Sequence, residues 1–405
     1  MQTPSPRVSR EIRSGRMNRR PPSFVVTLVA LAIVFALAWT FFLRSGPSAS
    51  APVVNGIQGT YTWRASGSTP LDGDFGAVAT GNAGGKAVLP PGRTSFGGSP
   101  PMSAYDAVSR TETTLASTGR FDSMTKTVGE WPPVWRVATH SPLDYQGLAA
   151  VVRTAVEDGD DSVGIKPLKE GDRAVWRAAM TMDGKRIDLV VDQQTGIVTW
   201  YSDGKDTFTA KADWASPPPA DTTYTVKVPA GTGVKALSGG VAYADSPAAA
   251  GRAAGYAPLV SHQAPDGYEL KAVATSGAGM RPLSWISDKV FNLPAGPRGT
   301  AVLELYTRGL AQFTVEQVGP ATMQFWASVH DWSGEATPGR LSYQETTLQY
   351  GAFKGATAST WYQESGPSLF VAGARRAVFV TGALTRQELI AFAEGLKPVP
   401  ANANR

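Results

Sequence analysis

The sequence predicts an α+β protein, two stretches of antiparallel sheet with a few capped helices, set behind one N-terminal transmembrane helix. Three observations carry this. Gly 43 and Pro 30 among 405 residues are too many for a helical bundle and suit short strands and turns. Asp183-Gly184 is a two-residue turn signal flanked by strands whose apolar residues pair on one face. Phe24 to Leu43 runs for twenty residues without a charge, a proline or a glycine.

As a helix rising roughly 1.5 Å per residue, that run is about 30 Å long, the thickness of a bilayer's hydrocarbon core. Residues 1–23 hold Arg7, Arg10, Arg13, Arg16, Arg19 and Arg20 against Glu11, a balance of +5 that equals the formal charge of the whole chain. The basic arm is therefore expected in the cytoplasm, with everything beyond Arg44 extracytoplasmic and the protein in the cell membrane as a single-pass anchor. The alternative is a secretory signal cleaved near Ala49-Ser50-Ala51, although signal h-regions are shorter. From Phe24 onward the charges cancel, so nucleic-acid binding by the folded part gains no support. The chain has no cysteine, which removes disulfides, thiol catalysis and a lipidated cysteine together.

Small-residue stretches mark the joints. Residues 44–55 link membrane to fold, SPPPA at 216–220 breaks the chain again, and 228–245 is a Gly/Ala/Ser-rich linker. They bound a first domain at 56–227 and a second at 246–398, with a tail at 399–405. In the first, SPLDYQGLAAVVRTAVEDG carries a helix signal. Ser141 and Asp144 have capping-box spacing, Pro142 suits the first turn, and Gly159 is a stop. Leu148, Val151, Val152, Ala155 and Val156 recur at helical spacing and form one apolar face.

The expected partner of that face is the hairpin. A type I′ turn at Asp183-Gly184 pairs Met182 with Lys185, Met180 with Ile187, Ala178 with Leu189 and Trp176 with Val191. Arg177, Thr181, Arg186 and Asp188 then point the other way. The same reading of Asp203-Gly204 pairs Thr199 with Phe208 and Trp200 with Thr207. Both aspartates are turn residues with a backbone role.

In the second domain Ser246 is the expected cap of a helix that Gly255 ends, with a strand from about Tyr268. Further strands are expected at Ala301–Tyr306, Gln312–Val318, Thr357–Gln363 and Ala377–Thr381. Thr385-Arg386-Gln387-Glu388 is a capping box, opening a C-terminal helix that packs on the sheet.

VVDQQTGIVTWYSDGKDTF, leading to Ala215-Ser216-Pro217, resembles the late meander of LolA-like lipoprotein carriers and of RseB/MucB-type periplasmic sigma-factor regulators. AAGYAPLVSHQAPDGYELKAV, together with WYQESGPSLFVAGARRAVFVTGALTRQELIAFAEGLKP, is similar to the small α+β domain that follows such modules. The matches cover about a quarter of the exported chain. The resemblance implies an antiparallel half-barrel wrapped over helices, with an apolar cavity that takes acyl chains or a partner peptide. A transmembrane anchor and a long Gly/Pro-rich stretch from Thr60 to Pro101 depart from the family pattern.

Chemistry is sparse. His140, His262 and His330 are isolated in sequence, without metal-ligand spacing. No G-x-S-x-G elbow, phosphate loop or dinucleotide fingerprint occurs, so no catalytic residue, metal ligand or cofactor is expected and the chain reads as non-catalytic. Glu157-Asp158-Gly159-Asp160-Asp161 lacks a calcium-loop pattern and reads as a solvated loop at a helix end, as do Asp72 and Asp74. Trp131-Pro132-Pro133-Val134-Trp135 is a stiff segment suited either to the core or to a lid.

Two readings follow. In the first, a LolA-like cavity binds lipid acyl chains through Trp176, Ala178, Met180, Ile187, Leu189, Val191, Trp131 and Trp135. Methionines suit such adaptable apolar sites, and those side chains serve equally as core. In the second, the chain is an envelope-stress regulator that binds a membrane protein such as an anti-sigma factor.

Overall fold

The computed structural model describes residues 53–67, 70–80, 84–89, 102–106, 111–117, 122–128, 145–212, 233–238, 241–261, 264–276, 301–320 and 341–398. At residue 71, between residues 73 and 128, over 233–238 and at 241 and 276, it describes backbone alone. Phe24 to Leu43, Ala49 to Ala51, Trp131, Trp135, Ser141, Asp144, residues 213–232 and all three histidines lie outside the described residues. Among those described, no helix is long and apolar enough to cross a membrane.

The described residues belong to one compact unit. Its first strands are β1 (Gly56–Ala65), β2 (Leu71–Thr80), β3 (Gly84–Leu89), β4 (Met102–Asp106), β5 (Thr111–Ser117) and β6 (Asp122–Val128). Helix α1 (Gln146–Asp158) follows. Then come β7 (Gly164–Glu170), β8 (Arg173–Met182), β9 (Lys185–Asp192), β10 (Val198–Ser202) and β11 (Asp206–Ala212). Each group is an antiparallel meander. Pairing of β11 with β1 joins the two, and β12 (Gly233–Ser238) runs parallel beside β6. One twelve-stranded sheet results, with β12 and β7 at its edges.

The chain then changes sheet. β13 (Val241–Ala244), α2 (Pro247–Ala254), β14 (Leu259–Ser261) and β15 (Glu269–Ser276) lead to β16 (Ala301–Arg308) and β17 (Ala311–Val318). After them come β18 (Leu341–Thr347), β19 (Thr357–Gln363), β20 (Gly366–Ala372), β21 (Ala377–Gly382), α3 (Arg386–Gly395) and β22 (Leu396–Pro398). All but β14 and β22, which pair with each other, form an eight-stranded antiparallel sheet in the order β13-β15-β16-β17-β21-β20-β19-β18. The expected α+β class, mostly antiparallel with few helices, is what the chain forms.

Local chemistry explains the best-defined elements. Ser246 accepts from Ala249 N–H at the start of α2, and Gly255 ends that helix in the left-handed region at φ 78°. Thr385 and Glu388 form the reciprocal capping box that opens α3. In the β8–β9 hairpin all four expected pairs are present, Met182 with Lys185, Met180 with Ile187, Ala178 with Leu189 and Trp176 with Val191. The turn needs positive φ at both central residues, and Asp183 and Gly184 supply it at 49° and 74°. A Cβ on Gly184 would meet nothing within 4 Å, so Gly184→Ala tests backbone strain alone. It is expected to cost about 1–2 kcal/mol by urea denaturation.

Two expectations are corrected. The β10–β11 pairing is shifted by two residues from the sequence reading, with Tyr201 opposite Phe208 and Trp200 opposite Thr209. The Asp203 carboxylate accepts from the N–H groups of Lys205 and Asp206, at 3.0 and 2.7 Å, which centres the turn on Gly204-Lys205. The N-cap of α1 is Tyr145, with no side-chain cap, in place of the expected Ser141. Gly159 does end this helix, at φ 63°.

Candidate functional site

Helix α1 is where the two sheets' side chains meet. Eight consecutive residues, Leu148 to Ala155, are buried, so the helix is covered on more than its apolar stripe. Leu148, Val151, Val152 and Ala155 join one apolar cluster with Ala178, Met180, Ile187, Leu189 and Val191 of the hairpin. The same cluster takes in Leu303, Leu305, Val318 and Ala377 from the eight-stranded sheet. Val156, expected on the apolar face, is 40% exposed.

The predicted hairpin face is therefore brought together. Ala178, Met180, Ile187, Leu189 and Val191 are each at most 3% exposed, and Trp176 is partly buried against the same cluster. Beside them Tyr145 stacks on Tyr201 with ring centroids 4.5 Å apart and lies 5.0 Å from Phe208. Trp131 and Trp135 lie outside the described residues.

On its other side α1 has a polar seat that sequence reading missed. Arg153 Nη2 donates to Ala383 O at 3.1 Å, and Thr154 Oγ1 to Leu384 O at 3.3 Å. Both carbonyls lie in the turn between β21 and α3. Arg386, the first residue of α3, faces Asp158 at 3.4 Å and Asp160 at 3.7 Å. It also donates to the Ser342 carbonyl and hydroxyl at 3.0 and 2.8 Å, and its guanidinium lies 5.0 Å from the centre of the Tyr362 ring. Tyr362 donates to Asp158 at 3.3 Å, and Ser342 donates to Asp160.

The acidic run is thus not simply a solvated loop. Asp158 and Asp160 anchor the helix end to residues some two hundred positions away. Near Gly147 the fit is tight, because a Cβ there would come within 2.2 Å of Glu364 O. Gly147 is the signal that the helix meets backbone there.

Asp192 has a structural task. Its carboxylate accepts from Arg173 Nε at 2.5 Å and from the N–H and hydroxyl of Thr195 at 2.8 and 2.7 Å. Burial alone would raise this carboxyl, but the bonds from Arg173 and Thr195 outweigh it and hold it below the usual range. Gly196, at φ 68°, completes the Asp-x-x-Thr-Gly turn. Exposed Asp72 accepts from Thr62 Oγ1 at 2.6 Å, a cross-strand contact. Among the described residues no group of three or more His, Asp or Glu is placed to hold a metal ion.

Taken together, these features define a mostly antiparallel protein of two large sheets, with a helix buried where their side chains meet. No protein-family model matches the chain, and no curated protein does. Among solved structures, a crystal structure of MucB aligns with 90% of this chain and 98% of its own, at 12% identity and a TM-score of 0.24. The MucA/MucB complex of Pseudomonas aeruginosa aligns with 89% of this chain and 99% of the other, at 12% identity and a TM-score of 0.26. PNGF-II aligns over 83% of this chain and 69% of its own, at 7% identity and a TM-score of 0.25.

Proposed function

We propose that this chain is a non-catalytic, membrane-anchored extracytoplasmic regulator of the RseB/MucB type, which works by binding a membrane-protein partner such as an anti-sigma factor. Carriage of acyl chains, the other reading, needs an apolar face free to receive them. The observation that favours the regulator is the occupied hairpin: Ala178, Met180, Ile187, Leu189 and Val191 are packed, at most 3% exposed, in one cluster with α1. Local geometry agrees with the resemblance. The Asp192-x-x-Thr195-Gly196 turn and the Thr385/Glu388 capping box both form as their motifs require.

The experiment compares ligand with partner in the same preparation. Full-length protein in detergent is analysed by native mass spectrometry and lipid extraction, while cells are treated with a crosslinker and the adduct sequenced. The expected result is protein free of stoichiometric acyl lipid, and a crosslink to the extracytoplasmic segment of one membrane protein that rebinds when purified. Stoichiometric lipid, displaced by Met180→Arg in a chain that still folds, would overturn the regulator in favour of the carrier.

A further inference from the structure

Helix α1 lies next in sequence to the β7–β11 meander, but its directional contacts run to the eight-stranded sheet. Its backbone runs nearest to β20, with β19 and β21 beside it. At one end Gly147 is pressed on the β19–β20 turn, where a Cβ would come within 2.2 Å of Glu364 O and 2.7 Å of Gly366 N. In the middle Arg153 and Thr154 donate to the carbonyls of Ala383 and Leu384. At the other end Asp158 and, just beyond the helix, Asp160 are held by Tyr362, Ser342 and Arg386. These contacts follow the helix along its length.

Toward the β8–β9 hairpin the helix offers apolar side chains, Leu148, Val151 and Val152 among them, buried in one cluster with Met180, Ile187 and Leu189. The two attachments respond differently to separation. Apolar burial is non-directional, so any apolar surface that arrives can stand in for the one that leaves. A hydrogen bond or ion pair needs its own partner at a set distance and angle, and backbone fitted closely against a glycine leaves no room to slide.

The chain on either side of the tied stretch is arranged for such a separation. Asp160 is followed by exposed Asp161 and Ser162 before β7 begins at Gly164, a short hinge between the tied helix end and the meander. At the helix start Tyr145 stacks on Tyr201, an aromatic contact that separation has to break. Just ahead of β1, Val54 O accepts from Leu310 N–H at 2.8 Å, and a Cβ on Gly309 would come within 2.6 Å of that oxygen. This contact ties the start of the first strand to the eight-stranded sheet.

We propose that α1 belongs mechanically to the eight-stranded sheet: the molecule parts between α1 and the β8–β9 hairpin, about a pivot at Val54 and Leu310, and uncovers the apolar hairpin face while the polar seat stays closed. The parting line does not depend on which partner the chain binds.

Distances between spin labels on the full-length protein in lipid nanodiscs test the parting line. The chain has no cysteine, so a pair of introduced cysteines takes the only labels. Thr181 on the hairpin, Val156 on α1 and Thr357 on β19 are all exposed and are labelled two at a time. Opening is driven by Met180→Arg, which puts a cation into the apolar seat, and separately by urea below the global transition. Thr181–Val156 and Thr181–Thr357 are expected to gain a population longer by about 5 Å or more, while Val156–Thr357 keeps its single distance. Lengthening of Val156–Thr357 while Thr181–Val156 holds would overturn the proposal. So would three distances that change together, or none that changes before global unfolding. Should Met180→Arg fail to fold, the urea series decides alone.

Discussion

Replacing Leu189 with alanine is expected to lower the unfolding free energy by about 2–5 kcal/mol. Leu189 is 0% exposed, opposite Ala178 on β8 and Tyr201 on β10. Truncation removes three methyl or methine carbons from a site that Ala178 is too small to refill, so most of the cavity stays open. Both the lost transfer energy and the cavity count against the variant. The same substitution discriminates between the two functional readings. A residue lining an unfilled lipid cavity already lacks packing partners, so its truncation in delipidated protein costs well under about 1 kcal/mol. Urea denaturation before and after lipid extraction makes the measurement. Val156→Ala is the control on the helix itself: at 40% exposed it is expected to stay within about 0.5 kcal/mol of the parent.

What the sequence made legible is local. Asp183-Gly184 and the alternation on either side determine a register by themselves, because a slip of one residue would turn Met180 and Ile187 outward. The Thr385/Glu388 box needs only four residues to be recognised. The misplaced β10–β11 register shows where such reasoning stops. Ser202-Asp203-Gly204-Lys205-Asp206 holds two adjacent turn centres, and the Asp203 carboxylate chooses between them by bonding two N–H groups ahead of it. Tyr201 and Phe208 share a face in either register, so the apolar alternation does not choose between the two turn centres.

Helix α1 was half legible for a different reason. Its strong apolar residues mark the side toward the hairpin, whereas Gly147 and Thr154 give no hydrophobic signal although they lie against Glu364 O and Leu384 O. Arg386 was read only as part of a cap. Its ion pairs bridge positions that no spacing rule connects, so Asp158 and Asp160 looked solvated. The site candidates on the hairpin were found because their partner strand is adjacent in sequence. The polar seat was missed because its partners are about 230 residues away.

Unfolding free energy is expected to fall as pH rises from about 4.5 to about 8, and Glu304→Gln is expected to remove most of that slope. Glu304 lies in β16 with no exposure to solvent. Its hydrogen-bond partners are neutral, the Tyr306 hydroxyl at 3.0 Å and Gln317 Nε2 at 3.3 Å. Burial pushes its carboxyl up to about 8, against a smaller downward pull from Tyr306, so at neutral pH it carries a proton. In the unfolded chain the same group ionises near its ordinary value. Between the two pKa values the folded state holds the extra proton, so raising pH favours unfolding by about 1.4 kcal/mol per pH unit from this one group. Below that window both states are protonated and the contribution is complete; above it both are ionised and the contribution is gone. Glutamine mimics the protonated acid, with a carbonyl to accept from Gln317 and an N–H to offer the Tyr306 oxygen. The variant should therefore match the parent within about 1 kcal/mol near pH 5 and exceed it near pH 9. The difference between parent and variant isolates Glu304 from the other titrating groups. Parallel curves across the range would mean that this carboxyl is ionised in the fold and held by a charge.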